Sequence, residues 1–172
     1  SRFDEHGSTA AVAAGYQWLS VGNLTVDMSL RADAISALML SMVTSVSLLV
    51  AVFGAGYMHG DAGYARFFAA VSLFVFAMCM LVLSGNFLQL FIFWELVGFC
   101  SYLLIGFWYR RPAAAAAATK AFVVNRIGDF GLLIAIFMIW VNFGSLDFED
   151  VLLNPARIGE LSSGGSAVIT TI

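Results

Sequence analysis

The chain has 172 residues, of which 61% are hydrophobic and only 11% charged, with a net charge of −3. A soluble domain is nearer 45–50% apolar and about 25% charged, so this composition excludes an ordinary globular fold and describes a chain that enters a bilayer repeatedly. No basic run exists, which removes the electrostatic case for nucleic-acid binding. Cys79 and Cys100 sit far apart inside apolar runs and read as small hydrophobic fillers. No CxxC or Cys/His cluster is available for zinc or an iron–sulfur centre, and His6 and His59 fall in polar segments, which disfavours a membrane haem.

In chain order, residues 1–15 are polar and Ala/Gly-rich and are expected to lack fixed structure. The next stretch, YQWLSVGNLTVDMSL, alternates Leu24, Val26, Met28 and Leu30 with polar residues, the period-two signal of a strand. Gly22-Asn23 suits the tight turn of a hairpin over residues 17–30. Asp33 can cap the helix that follows. Four apolar spans come next, at about residues 34–58, 67–83, 87–108 and 113–141. Each is near the roughly 20 residues that cross a hydrocarbon core. Ser84-Gly85-Asn86 breaks the second from the third, and Arg110-Arg111-Pro112 ends the third. Asp147 can then cap a short helix near residues 148–153, ahead of Pro155 and a flexible Ser/Gly loop. The chain starts inside a polar stretch with Ser1-Arg2 and stops soon after a new apolar run begins at residue 167, as a piece of a longer protein would. The fold class is therefore all-α: a polytopic membrane helix bundle of about four transmembrane helices, with a short extramembrane β-hairpin before the first. Residues 1–32 form the extramembrane segment, 33–141 the four-helix part, and 142–172 a surface loop with the start of another span.

The loops give an orientation. His59, Asp61 and Arg66 lie between the first two spans, and Arg110 and Arg111 between the last two. These loops share one side and hold most of the basic residues, so that side is expected to be cytoplasmic. The hairpin and the tail carrying Asp147, Glu149, Asp150 and Glu160 fall on the other.

The third span, FLQLFIFWELVGFCSYLLIGFW, carries one acid, Glu95, close to its middle. A carboxylate there costs on the order of 3 kcal/mol on insertion scales, so it must face protein or water and marks a functional position. The plain alternative is a protonated, hydrogen-bonded packing residue. Gly98, Tyr102 and Gly106 lie on the Glu95 side, and glycine there is expected to admit a close neighbour. The fourth span differs in carrying Lys120, Arg126 and Asp129. At about 100° per residue, Asn125, Arg126 and Asp129 share one sector while Lys120 points elsewhere. Arg126 and Asp129 are spaced i, i+3 and can pair. Simple neutralisation for insertion explains that pair, and snorkelling explains Lys120. A passive scaffold gains nothing from four ionisable groups on adjacent spans, whereas a proton path requires them.

FWELVGFCSYLLIGFW followed by KAFVVNRIGD resembles the antiporter-like chain L, or subunit 5, of respiratory complex I (NADH:quinone oxidoreductase). GYMHGDAGYARFF, LVLSGNFLQLF and WLSVGNLTVDMSLRADAIS fit the same pattern, and the resemblance covers about residues 16–150. It implies a many-helix proton-pumping subunit of an energy-transducing membrane, that of a bacterial cell or alternatively of a mitochondrion. It implies that Glu95, Lys120, Arg126 and Asp129 serve proton translocation and coupling. It also implies further helices before and after this stretch, among them those bearing the channel's other lysines and histidine. No cofactor is expected in this chain; FMN, iron–sulfur clusters and quinone belong to other subunits, and the partners are other membrane subunits and the lipid bilayer. Phe93 stands where many relatives have glycine, which alters packing near Glu95. The alternatives are the large subunit of a multi-subunit Na+/H+ antiporter, which shares a WE-type helix, and a purely structural membrane bundle.

Overall fold

The structure, a computed structural model, describes residues 11–22 and 24–152. Asn23, residues 1–10 and the expected loop and span start at 153–172 lie outside the described residues. A two-stranded antiparallel sheet comes first, β1 (Ala11–Val21) and β2 (Leu24–Ala32). Five helices follow among the described residues: α1 (Ala34–Tyr57), α2 (Tyr64–Val82), α3 (Phe87–Ile105), α4 (Pro112–Phe143) and the short α5 (Phe148–Leu152).

The hairpin is longer than its alternating pattern. Residues 11–15, expected to lack structure, belong to β1, where Ala11, Val12 and Ala13 pair with Ala32, Arg31 and Leu30. Small residues give no period-two signal, so only the partner strand reveals this extension. Register shifts follow at Ala13/Tyr16 and Gln17/Leu19, which bend the strand as bulges do. Gly15 sits at the first of them, where any Cβ would fall on the Met28 carbonyl. Of the four alternating residues, Val26 is buried, Leu24 packs beside it and Leu30 is 39% exposed.

Val26 enters an apolar cluster with Ile136, Ile139 and Phe143 of α4, Leu146, and Val151 of α5. This docks the hairpin on one end of the bundle. The break between α2 and α3 completes that end. Arg31 N–H donates to the Leu83 carbonyl at 2.9 Å, and Phe87 N–H to the Leu146 carbonyl at 3.0 Å. Asn86 caps α3 by accepting from Gln89 N–H at 2.7 Å, while its own Nδ2 donates to the Asp27 carbonyl at 2.7 Å. Gln89 Oε1 accepts from Ser29 N–H at 3.2 Å. Asn86 and Gln89 are both almost fully enclosed.

The four long helices are apolar and long enough to cross a membrane. Asp33 caps α1 by accepting from Ser36 N–H at 2.7 Å, and that hydrogen bond holds its carboxyl below the ordinary range. Along α1 only Gly54 is buried, so its apolar surface faces outward. α4 spans about 48 Å at 1.5 Å per residue, well beyond a hydrocarbon core of roughly 30 Å. It ends at Gly144, whose φ of 71° is the left-handed cap that glycine adopts without strain. At the other end of the bundle, Arg66 Nη2 donates to the Phe107 carbonyl at 3.0 Å. Arg66, expected in the connection between the first two spans, therefore lies in the first turn of α2 and meets the turn after α3, at the end opposite the hairpin and Asp147. Cys79 is half-buried and Cys100 buried, and both are free thiols.

Candidate functional site

The seam between α3 and α4 gathers the charges. Arg126 Nη1 contacts Glu95 Oε2 across the two helices. The same nitrogen lies 4.0 Å from Asp129 Oδ2, at the outer limit of an ion pair. Arg126 thus stands between two carboxylates and engages the one on the neighbouring helix more closely. Its Cζ also lies 4.5 Å over the Phe122 ring, which in turn meets Tyr102 at 5.4 Å. A guanidinium over an aromatic face keeps its N–H groups in plane for oxygen partners.

Asp129 has a second partner that the pattern of charges did not reveal. Trp94 Nε1–H donates to Asp129 Oδ1 at 2.9 Å. Trp94 precedes Glu95, so consecutive residues of α3 reach Asp129 and Arg126 of α4. An indole donor satisfies a buried carboxylate without adding charge. In an aromatic-rich apolar span a tryptophan carries no sequence signal of its own; adjacency to the one acid was the only available clue.

Lys120 is exposed and makes no ion pair among the described residues. Asn125, expected in the Arg126–Asp129 sector, lines a groove of about 710 Å³ together with Trp94, Asp129 and apolar side chains of α2, α3 and α4. Gly98 and Gly128 also line this groove, and a Cβ on either would meet nothing within 4 Å. Gly131 is equally open. The close helix approach expected at Gly98 is therefore absent among the described residues, and Gly128 and Gly131 make none either. At Gly106, on the same face and also expected to admit a close neighbour, the approach does occur: a Cβ would come within 3.3 Å of the Ala118 Cβ. Phe93 is buried on the α2 side, edge-on to Phe76 with centroids 6.0 Å apart.

Four apolar helices, with Glu95, Arg126 and Asp129 gathered between the third and fourth, define a polytopic membrane bundle with ionisable side chains between its helices. Residues 84–170 match the family model described as NADH:quinone oxidoreductase/Mrp antiporter, TM, and residues 18–68 match the one described as NADH-Ubiquinone oxidoreductase (complex I), chain 5 N-terminus. The chain belongs to this family, and it is a multi-pass protein of an energy-transducing membrane. It is 53% identical over 173 residues to NAD(P)H-quinone oxidoreductase chain 5 of Synechocystis sp., which covers 99% of this chain and 25% of that protein. It is 49% identical over 138 residues to NADH-quinone oxidoreductase subunit L of Neisseria meningitidis, covering 79% of this chain and 20% of that one. The chain therefore spans about a quarter of the length of the curated relatives it matches. The fold is similar to a chain in the structure of the Mrp complex from Dietzia sp., with a TM-score of 0.79 at 23% identity, over 92% of this chain and 16% of that one.

Proposed function

We propose that this chain forms part of a proton-translocating membrane subunit of an NADH:quinone oxidoreductase, with Glu95, Arg126 and Asp129 carrying the coupling. The observation that supports this most is the position of Arg126 between Glu95 and Asp129. One guanidinium can satisfy one carboxylate fully or share itself between two. The carboxylate it leaves is the one free to take up a proton, so a shift of one side chain becomes a change of protonation. Trp94 holds Asp129 in place during that shift. Lys120, exposed along the same helix, serves as an entry or relay charge for helices outside this stretch.

Redox chemistry belongs to other subunits, where FMN, iron–sulfur clusters and quinone supply the driving electron transfer; this chain binds none of them. Its partners are other membrane subunits, and its membrane is the bacterial inner membrane with the arginine loops on the cytoplasmic side. The second reading, a subunit of a Na+/H+ antiporter, is favoured by the family description that names both and by the fold shared with an Mrp complex chain. Co-purification of the full-length protein with flavin and iron–sulfur subunits separates the two.

The decisive test is Glu95→Gln in the full-length protein. Glutamine keeps size and hydrogen bonding but cannot carry the proton. Proton uptake by inverted vesicles on NADH addition, normalised to assembled complex, is expected to fall far below wild type, with Glu95→Asp intermediate. Wild-type uptake per complex in Glu95→Gln would make Glu95 a packing residue.

A further inference from the structure

At the arginine end of the bundle, away from the seam, a second pocket of about 400 Å³ lies between the start of α2 and the turn that follows α3. Arg66, Arg110 and Arg111 line it, against a single carboxylate, Asp61. None of the three arginines makes an ion pair among the described residues. Asp61 is already engaged, its Oδ1 accepting from Gly63 N–H at 2.6 Å. The pocket therefore holds a surplus of positive charge with no ion-pair partner among the described residues.

Two of the arginines are held in place rather than loose. Arg66 donates to the Phe107 carbonyl and lies 4.7 Å over the Phe107 ring and 5.2 Å over that of Tyr109. Arg111 lies 5.3 Å over the Trp108 ring. Stacked guanidinium groups keep their remaining N–H groups available in plane, the arrangement that suits the oxygens of a phosphate. Hydrogen bonding to Arg66 and then Arg110, with their charges, holds the Tyr109 phenol below its ordinary range. Gly63 closes the arrangement, since a Cβ there would meet the Phe107 ring at 2.6 Å.

We propose that this pocket binds the phosphate headgroup of an anionic glycerophospholipid. Its position argues for a lipid over a free anion. Trp108 and Tyr109 are 42% and 57% exposed at the end of the spans, where amphipathic rings mark a membrane interface. One turn further into the bilayer, Ile105 is 43% exposed and offers acyl chains an apolar surface. The proposal is independent of proton translocation and does not rest on that reading.

The test titrates the assembled complex containing the full-length polypeptide with phosphatidylglycerol, reading bound lipid by native mass spectrometry. Phosphatidylcholine and inorganic phosphate serve as comparison arms. A basic residue at a membrane surface contributes about fivefold in affinity for an anionic lipid, so Arg110→Gln with Arg111→Gln is expected to weaken phosphatidylglycerol by roughly 30-fold. Phosphatidylcholine binding should not change. Asp61→Asn keeps the acceptor for Gly63 N–H and removes the one opposing charge, so it is expected to tighten phosphatidylglycerol several-fold. A gain cannot arise from misfolding, which keeps the test decisive if the double variant does not assemble. Competition by inorganic phosphate at the lipid's own affinity would show a phosphate site without lipid selectivity and overturn the proposal. Unchanged phosphatidylglycerol binding in Asp61→Asn would show the pocket covered by another subunit and overturn it equally.

Discussion

At the junction between α2 and α3, Asn86 is fully enclosed and both polar ends of its amide are occupied by backbone groups. Nine residues further along the same helix, about 14 Å away, Glu95 is enclosed by nothing comparable and meets a charge instead. Asn86 is a neutral group with fixed partners, so each of its hydrogen bonds has one arrangement, while the enclosed Gln89 Nε2 beside it makes no hydrogen bond among the described residues. The seam uses ionisable groups in which one guanidinium faces two carboxyl groups, and it opens on a groove of about 710 Å³. A polar group with a single satisfied geometry is a fastener. A charge with two available partners can change state, and that difference separates structural from functional polarity within one helix.

The largest effect is expected where the seam is broken outright. Arg126→Leu takes the cation from half-buried Glu95 and from Asp129, and removing one partner of an ion pair costs up to about 3–5 kcal/mol where the pair is fully buried. Assembled complex on native gels should fall sharply. The same substitution in a Glu95→Gln background should cost much less, because one stranded charge is already gone. Equal losses in the two backgrounds would mean that Arg126 and Glu95 do not interact in the full-length protein.

The junction gives the contrasting result. Asn86→Ala leaves the Asp27 carbonyl and Gln89 N–H without their partners in an enclosed site, at a cost of about 1–3 kcal/mol each. Assembly should drop, yet proton uptake per assembled complex should stay at the wild-type level. A loss of uptake per complex would erase the distinction between fastener and switch.

Much of this contrast is legible in the sequence, and the missing parts share a physical cause. Glu95, Arg126 and Asp129 stand out because a charge in an apolar run is costly wherever it points. Helical geometry then places Arg126 and Asp129 on one sector but cannot say which neighbour that sector meets. The i, i+3 spacing therefore shows one available partner for Arg126, while the closer contact runs to Glu95 on another helix. Trp94 gives no signal in the sequence because its ring suits an apolar span and only its N–H makes the link to Asp129. The break at Ser84-Gly85-Asn86 is visible from composition. Its role in holding the hairpin is not, since the bonds from Arg31, Ser29 and Asp27 connect segments some 50 to 60 positions apart. Gln89 three residues after Asn86 was the available hint, being the spacing of a capping box. Gln89 accepts from Ser29 rather than closing that box.

The smallest effect tests the comparison with the same chemical change as Glu95→Gln, made at the junction end. Asp147 pairs by its backbone with Asn86 and carries no ion pair among the described residues. Burial holds its carboxyl above the ordinary range, and the charges of Asp150, Asp27 and Glu149 add to that. A carboxyl raised in the folded state binds more protons folded than unfolded. Its favourable contribution is therefore present in acid and is lost as pH rises through the ordinary carboxylate range toward the raised value. At neutral pH the charged form is a burden, reduced by solvent screening to under about 1 kcal/mol. Asp147→Asn removes that burden and keeps the backbone contacts. It should raise the melting temperature of the detergent-solubilised complex slightly at neutral pH, and the gain should vanish in acid, where Asp147 is already neutral. Proton uptake should not change. A gain that persists unchanged into acid would show that Asp147 acts through packing. A loss of uptake would mean that ionisation at this end matters to transport as it does at Glu95.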